Sequence, residues 1–434
     1  MKTLGLDIGT TTISAVVAEG AEVLSSVTLK NDTFLPTKNL WERIQDPCQI
    51  CRVALQAVEA LLKQHPDTCR IGITGQMHGI VYLDRQGKPV SPLYTWQDGR
   101  GNLPFRKELT YAQYLSQLTG HKLSTGFGTV THFYNLQNKL VPASATVLCT
   151  IQDYIAMVLC GNTMPFTEAT DAASLGLFHV REGCYDDAAL QKAGISRSFL
   201  PSLASNPCIG RYQGRIPVFA AIGDNQASFI GATGGDVGCM LVNVGTGGQF
   251  SVFSREFLSC PGLETRPFPG GGYLIVGSSL CSGRAYALLE AFIRGTLESI
   301  AGIKTDSCYS AMEKLLESAE KPENLPRTIP LFQGTREDPT LRGSITNLDP
   351  GNFTVRHLFW SFLEGMAKEL HGLYLLYEAH GGKAAKLIGS GNGLRKNTHL
   401  RRCFAEAFQQ PLLICAQEEE AAAGAAFYAK CIDI

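Results

Sequence analysis

Short apolar runs alternate along the chain with longer segments whose apolar residues have helical spacing. Residues 4–7 and 14–18 are two apolar runs separated by a Gly-Thr turn, which predicts a β-hairpin. The apolar positions of residues 52–63 and 355–380 recur near every third or fourth residue, which predicts two helices, and residues 70–74 predict a buried strand. Strands that alternate with helices indicate a layered α/β architecture.

One short pattern occurs twice. Residues 6–11 and 242–247 both read apolar, Asp or Asn, apolar, Gly, Thr, and each copy is followed by a second apolar run. The copies lie about half the chain apart, so the repeat predicts two related domains, residues 1–230 and 231–434. The glycine-rich segment 231–238 is the expected hinge between them.

Composition narrows the class of protein. The chain has 434 residues, 44% of them hydrophobic and 18% charged, which suits two folded α/β domains and excludes general disorder. A net charge of −1 gives no general electrostatic reason to bind nucleic acid or an anionic membrane. No export signal opens the sequence, no apolar run is long enough to span a bilayer, and the 14 cysteines are scattered. We therefore expect a cytoplasmic protein with reduced thiols, in which the close pair Cys48 and Cys51 only begins a helix.

The two Gly-Thr turns are candidates for phosphate binding. Glycine lets the backbone approach an anion closely, consecutive N–H groups surround it, and a Thr hydroxyl adds a donor. A single Gly-Thr turn is usually no more than a turn, but two copies favour a nucleotide site. The carboxylate of Asp7 in the first copy would repel negatively charged phosphates, so its presence implies a Mg²⁺ ion between them. The sequence has neither a Walker-type loop nor a full dinucleotide fingerprint.

Asp224 is the candidate general base. The apolar run at residues 218–222 predicts a strand, and Gly223, Asp224 and Asn225 follow directly. A carboxylate at a strand end beside small residues can reach a substrate hydroxyl. The same residues also suit the start of a helix, and the local pattern does not choose between the two.

Two further blocks carry groups that recognise hydroxyls. Gln76, Met77 and His78 follow the strand predicted at residues 70–74, and Trp96 and Asp98 follow about 20 residues later. Amide, imidazole, indole and carboxylate groups together suit a small ligand with many hydroxyls.

Taken together, these blocks resemble the FGGY family of carbohydrate kinases, and the resemblance covers essentially the whole chain. It implies two ribonuclease-H-like domains of the actin/hexokinase-like ATPase fold with an interdomain cleft, and it implies ATP and Mg²⁺ as cofactors. On this resemblance Asp224 is the catalytic base and Asp7 the metal ligand. The expected sugar contacts are Gln76, Met77, His78, Trp96, Asp98, Asp224 and Asn225. The expected nucleotide contacts are Gly9, Thr10, Thr11, Gly245, Thr246, Gly247, Gly391, Asn392 and Asn397.

The implied reaction is phosphorylation of a ketose at a terminal primary hydroxyl. Blocks at residues 74–79, 125–128 and 150–154 are similar to the branch of the family that converts sedoheptulose to sedoheptulose 7-phosphate. A xylulokinase or another pentulose kinase stays open, as do a non-sugar actin-like ATPase, a non-catalytic sugar sensor and a homodimeric assembly. Gly247 and Gly248 depart from the family pattern, in which a hydroxyl residue often follows the Gly-Thr.

Overall fold

The computed structural model describes residues 1–106, 108–318, 320–335 and 338–431. They form two compact units, each of which is described by itself. Unit 1 comprises Met1–Asp236, Arg266–Gly272 and the C-terminal segment from Gln417, and unit 2 comprises Val237–Thr265 and Tyr273–Ala416.

Strands are numbered in chain order. They are β1 (Lys2–Ile8), β2 (Thr12–Glu19), β3 (Glu22–Lys30), β4 (Ile44–Gln45), β5 (Arg70–Gly75), β6 (Val81–Leu83), β7 (Leu93–Tyr94), β8 (Pro104–Arg106), β9 (Leu109–Thr110), β10 (Val147–Cys149), β11 (Phe166–Thr167), β12 (Phe178–His179), β13 (Cys184–Tyr185), β14 (Ser202–Leu203), β15 (Cys208–Tyr212), β16 (Ile216–Phe219), β17 (Ile222–Gly223), β18 (Cys239–Val244), β19 (Gly248–Ser254), β20 (Glu264–Pro267), β21 (Tyr273–Ser279), β22 (Arg327–Ile329), β23 (Ser344–Thr346), β24 (Lys386–Ser390) and β25 (Leu412–Ile414).

Helices are numbered in the same way. They are α1 (Pro47–Gln64), α2 (Tyr111–Thr119), α3 (Gly128–Gln137), α4 (Ile151–Cys160), α5 (Ala169–Leu175), α6 (Asp187–Ala193), α7 (Asp224–Thr233), α8 (Gly283–Ala301), α9 (Tyr309–Glu317), α10 (Val355–Glu378), α11 (Asn392–Lys396), α12 (Thr398–Phe408) and α13 (Glu420–Cys431), with short 3₁₀ helices at Gly99–Asn102 and Arg197–Phe199. In the described part of the chain, no helix has both the length and the apolar character needed to cross a membrane.

Both units are built on the same kind of sheet. In unit 1 the strand order is β15-β16-β5-β1-β2-β3, with β17 also beside β5. Strands β1, β2 and β3 pair antiparallel, whereas β5 runs parallel to β1, β16 and β17. In unit 2 the order β21-β19-β18-β24-β25 repeats this arrangement, with an antiparallel meander followed by two parallel strands. The expected α/β fold with two similar domains is confirmed.

Local sequence explains where the first helix begins. The side chain of Asp46 accepts hydrogen bonds from the backbone N–H groups of Cys48 and Gln49, and Pro47 occupies the first turn, where its missing N–H costs nothing. Cys48 and Cys51 lie in the first turns of α1, where the sequence predicts the start of a helix. Helix α1 buries Ile50, Ala54 and other apolar residues against the sheet of unit 1.

The other face of that sheet is covered by α7 and α13. Their apolar residues pack with Val16 and Ala18 of β2 in a separate cluster. Contact is close because glycines lie where the elements cross. A Cβ on Gly424 of α13 would overlap the carbonyl oxygen of Ala227 in α7, and one on Gly5 of β1 would overlap that of Ala422. The small-residue run at the C-terminus is therefore a backbone-to-backbone packing surface.

The structure differs from the domain division expected from the sequence. Gly231 lies inside α7 and packs against Glu420 of α13, so the expected hinge at 231–238 begins too early. The transition to unit 2 comes at Val237. In addition, α13 belongs to unit 1, although it follows the whole of unit 2 in the chain. The reason is that its small-residue face matches the glycines of β1, β5 and α7.

Substituting Gly424→Ala is expected to destabilise the protein. The added methyl group meets a backbone carbonyl that cannot rotate away, so we expect a loss at the upper end of the overpacking range, about 3 kcal/mol. Urea unfolding monitored by circular dichroism measures the change. Gly295→Ala is the matched control, because Gly295 lies in helix α8 with open space around it. It should stabilise by up to about 1 kcal/mol. Equal effects of the two substitutions would contradict the packing described for α13.

Candidate active site

Two carboxylates meet at the carboxyl edge of the parallel strands in unit 1. Asp7 is the penultimate residue of β1, in register with Thr74 of β5. On the other side of β5, Gly223 of β17 is in register with Gly75, and Asp224 follows as the first residue of α7. Because β1, β5 and β17 run parallel, their ends open at the same edge of the sheet.

The electrostatic environment of Asp7 is unusual. Burial and the negative charges of Asp224 and Glu419 raise the pKa of Asp7 from its ordinary value of 3.8 to about 7. Burial also raises the pKa of Asp224, and this rise is opposed by a hydrogen bond from Asn225 and by the positive charge of Arg266. Nδ2 of Asn225 lies 2.6 Å from Oδ1 of Asp224, which fixes the orientation of that carboxylate.

Glu419 is a member of this acidic group that sequence reasoning missed. It directly precedes α13, and its Oε1 accepts a hydrogen bond of 2.7 Å from Thr28 Oγ1. The Thr28 hydroxyl lies 3.1 Å from Ser14 Oγ on the neighbouring strand. In the sequence, the three glutamates at 418–420 have the pattern of an acidic helix start and nothing that points to a metal site. Their proximity to Asp7 depends on the packing of α13, which no local pattern reveals.

This arrangement fits a divalent cation. Both charged groups that shift the pKa of Asp7 are negative, so the ionised form of Asp7 has excess negative charge around it. A hard cation such as Mg²⁺ prefers carboxylate oxygens and would relieve that repulsion. The donor set around Asp7 therefore matches the metal implied by the sequence.

The first Gly-Thr hairpin is tied to the block at Gln76 by a closed hydrogen-bond network. Trp96 Nε1 donates to Thr10 Oγ1 at 3.0 Å, and Thr10 Oγ1 donates to Gln76 Oε1 at 3.2 Å. Gln76 Nε2 donates to Gln45 Oε1 at 3.0 Å, and Gln45 Nε2 returns to the carbonyl oxygen of Thr10 at 2.9 Å. Asn31 also donates to the carbonyl oxygen of Gly9, at 2.8 Å. The hairpin is thus held in one conformation, with Thr11 exposed at its tip.

His78 is held in a strained backbone conformation. Its φ is +72°, a region that non-glycine residues seldom occupy. Its backbone N–H donates to Ser174 Oγ at 3.1 Å, and its Nδ1 lies 2.7 Å from the carbonyl oxygen of Ser174. A carbonyl oxygen only accepts, so Nδ1 carries a proton, and the neutral ring then presents Nε2 as an acceptor. The ring also contacts Phe127, with centroids 4.6 Å apart.

Two of the expected sugar contacts are buried and paired within the protein. Asp98 has no exposed surface, and its carboxylate accepts from the Arg100 guanidinium at 2.6 Å and from the Arg43 backbone N–H at 3.1 Å. Gln76 is 4% exposed, with its amide engaged in the network around Thr10. Both side chains are engaged within the protein in this structure, and their direct contact with a sugar stays a prediction. Polar residue types after a strand cannot reveal which of them point inward.

The remaining expected sugar contacts lie near Asp224 or at the surface. Met77 is largely buried, and its sulfur lies 4.0 Å from Asn225 Nδ2. A Cβ on Gly223 would lie 2.6 Å from Oε1 of Gln226 and 2.8 Å from Cε of Met77, so a larger residue there would require these side chains to shift. Trp96 is 47% exposed, so one side of its indole is available to a ligand.

The second Gly-Thr hairpin joins β18 and β19 in unit 2. Gly245 and Thr246 are exposed, and their carbonyl oxygens accept from the N–H groups of Gly283 and Arg284 at 3.2 and 2.9 Å. A Cβ on Gly247 would lie 2.7 Å from the carbonyl oxygen of Ser279, and one on Gly248 would overlap the Ser282 side chain. Steric contacts therefore explain why glycine occupies both positions after the Gly-Thr pair. The Oγ atom of Ser282 lies beside this turn and is buried without a hydrogen-bond partner.

Three of the expected nucleotide contacts follow β24 in unit 2. Gly391 has a φ of +84°, and a Cβ there would lie 2.6 Å from the carbonyl oxygen of Val244, so this position requires glycine. Asn392 is exposed at the start of α11. Asn397 instead caps α12, since its side chain accepts from the Leu400 N–H at 2.8 Å. This cap gives Asn397 a local role besides the expected one.

Comparison with known proteins shows what the chain is similar to. The family model for the N-terminal domain of the FGGY family of carbohydrate kinases matches residues 2–237, and the model for the C-terminal domain matches residues 240–430. A sedoheptulokinase of Mus musculus is 29% identical over 98% of this chain and 96% of its own length. A xylulose kinase of Staphylococcus xylosus is 25% identical over 98% of this chain and 90% of its own length.

Solved structures share the fold. The crystal structure of a xylulose kinase from Rhodospirillum rubrum superposes with a TM-score of 0.84 at 22% identity, over 99% of this chain and 89% of that one. At this level of identity the likeness concerns the fold alone.

The raised pKa of Asp7 predicts a pH-dependent effect of Asp7→Asn on stability. The folded protein holds the Asp7 proton more tightly than the unfolded chain, so its stability falls as pH rises from about 4 to about 7. Asparagine does not ionise, so it removes the loss of stability that ionisation of Asp7 causes. We expect the metal-free variant to be more stable than the wild type at pH 8, with a much smaller difference at pH 5, in urea unfolding. Asp32→Asn, at an exposed position, is the control. A gain from Asp7→Asn that is equal at both pH values would contradict the environment described for Asp7.

Proposed function

The chain belongs to the FGGY family of carbohydrate kinases, and on that premise we propose that it transfers the γ-phosphoryl group of ATP to a terminal primary hydroxyl of sedoheptulose. The observation that carries this proposal is the pairing of Asp7 and Asp224 at one edge of the sheet, on either side of β5, whose end leads into the segment that contains His78. The similarity to a sedoheptulokinase along nearly the whole chain supports the choice of sugar.

Asp224 acts as the general base in this mechanism. The hydroxyl oxygen of the sugar forms a bond to the γ-phosphorus, the bond from that phosphorus to the bridging oxygen breaks, and ADP leaves. The hydroxyl proton passes to Asp224. A carboxylate with a raised pKa binds this proton more readily than an ordinary one, and Asn225 keeps it oriented.

Asp7 would hold Mg²⁺, with Glu419 adding negative charge nearby. When bound, the ion supplies charge neutralisation for the phosphates. Asp7 and Asp224 thereby have distinct roles. Asp7 is surrounded by negative charge and attracts a cation, whereas Asp224 has Arg266 and Asn225 beside it.

The two Gly-Thr hairpins are proposed as the phosphate-binding elements. In unit 1, Gly9, Thr10 and Thr11 form a turn fixed by the network around Gln76, so its N–H groups are ordered before a ligand arrives. In unit 2, the exposed turn at Gly245–Gly247 has the unpaired Ser282 hydroxyl beside it. Gly391 and Asn392 are the proposed neighbours of adenosine. Asn397 follows them in the chain and caps α12.

We assign sugar recognition to the side chains that are partly exposed or that lie close to Asp224. His78 offers a ring acceptor, Trp96 offers an exposed aromatic face, and Met77 and Asn225 lie next to the base. Gln76 and Asp98 are proposed as positioning residues. Gln76 orients Thr10, and Asp98 holds Arg100 and the backbone of Arg43.

A pentulose kinase is the second candidate. It is supported by the similarity to a xylulose kinase over 98% of this chain. A non-sugar ATPase or a sugar sensor has less support, because neither needs a general base such as Asp224, whose pKa is raised and whose carboxylate is oriented by Asn225. We also propose a cytoplasmic location, which the 14 free cysteines support.

Replacing the base tests the mechanism. Asp224→Asn should fold and bind both ligands but lose turnover by about 10²–10⁴-fold, the usual contribution of a general base. A coupled ADP-release assay measures the loss. Asp187→Asn is the matched control, since Asp187 is also an acidic first residue of a helix but is exposed. Turnover within tenfold of the wild type for Asp224→Asn would place the base elsewhere.

A panel of substrates tests the choice of sugar. The same assay compares sedoheptulose, D-xylulose, D-ribulose, L-ribulose and glycerol by kcat/KM. A polar group of the site that is left without its sugar hydroxyl costs about 1–3 kcal/mol. The kcat/KM of each poorer substrate should therefore be about 10- to 100-fold lower than that of sedoheptulose. Equal values for sedoheptulose and D-xylulose would retain the kinase but refute the seven-carbon assignment. Glycerol ahead of every ketose would refute the proposed sugar site.

A further inference from the structure

Three possible metal ligands converge in unit 1 on elements that the proposed reaction does not use. His121 follows the glycine that ends α2, His179 is the second residue of β12, and Asp186 is the N-cap of α6. Both histidines approach the same carboxylate oxygen. His121 Nε2 lies 2.9 Å and His179 Nε2 lies 3.1 Å from Asp186 Oδ2.

The spacing of these atoms is close to that of a metal site. One ligand atom from each residue lies within 4.8 Å of the other two, and the imidazole centroids are 5.7 Å apart. Tetrahedral zinc with bonds of about 2.0–2.1 Å requires ligand atoms roughly 3.3 Å apart. The two Nε2–Oδ2 distances are already near this value, and binding of the ion would require the ligand atoms to approach one another by at most about 1.5 Å.

The carboxylate is held in place by its surroundings. Asp186 Oδ1 accepts from the Ala189 N–H at 2.9 Å, and the Asp186 N–H donates to the carbonyl oxygen of Leu177 at 2.9 Å. Oδ2 is thereby directed to the two histidines. All three residues are partly buried, which shields a bound ion while leaving it accessible from solvent.

We propose that His121, His179 and Asp186 bind one zinc ion, with water as the fourth ligand. Two neutral imidazoles and a carboxylate are a ligand set that zinc accepts readily. The ion links three elements that are separate in the chain, so its role is structural. Helix α5 runs almost directly into β12, and Ser174 of α5 holds His78. Zinc would therefore stabilise the part of unit 1 that supports His78.

The test uses the full chain without an affinity tag, stripped of metal by a chelator and dialysed. Titration with Zn²⁺, followed by calorimetry and by metal analysis after desalting, should give one ion per chain and a higher Tm. His121→Gln and His179→Gln should each weaken binding by about tenfold or more. Asp186→Asn should do the same while keeping the helix cap, because an asparagine oxygen also accepts from the Ala189 N–H. Circular dichroism verifies that each variant folds.

Two variants serve as controls. Cys184 is exposed and pairs with His179 across the β12–β13 hairpin, so Cys184→Ser tests whether a thiol carries the metal. His380→Gln tests a histidine just after α10, whose Nδ1 lies 2.7 Å from the carbonyl oxygen of Leu376 in that helix. Both should keep wild-type affinity. The proposal is overturned if zinc does not bind at one ion per chain, if both histidine variants of the cluster bind normally, or if only Cys184→Ser loses the metal.

Discussion

The candidate site depends on one contact, the backbone-to-backbone packing of α13 against α7 and the first strands of unit 1. Glycines at residues 5, 72, 231 and 424 allow this approach, because a Cβ at any of them would overlap a backbone oxygen across the contact. The contact joins the last helix of the chain to the first strand. It also sets the position of Asp224 at the start of α7 and of Glu419 just before α13. Small residues thus determine the geometry of the charged ones.

That geometry concentrates negative charge, and the fold must hold it against repulsion. Burial together with Asp224 and Glu419 makes Asp7 a weak acid, with a pKa of about 7. A hydroxyl from Thr28 holds Glu419, an amide from Asn225 holds Asp224, and Arg266 offsets part of the charge. Binding of a cation would relieve the repulsion, which is the property a kinase site requires.

The sequence predicted those features that depend on local patterns. Both Gly-Thr hairpins, the long helix α10 and the place of Asp224 after a strand follow from periodicity, turn residues and the repeat. Side-chain direction did not follow from the sequence. Asp98 and Gln76 have the residue types of ligand contacts, yet both are buried and paired within the protein. Glu419 was missed because its approach to Asp7 depends on a contact between the two ends of the chain.

In the proposed function, Asp7 is a partly protonated carboxylate near pH 7 that ionises when it binds a cation. The most direct test is the proton release that accompanies binding of Mg²⁺-ADP at pH 7. Calorimetric titrations in two buffers of different ionisation enthalpy measure it for the wild type and for Asp7→Asn. A pKa of about 7 predicts that the wild type releases about half a proton more than the variant. Equal proton release by the two proteins would contradict the account.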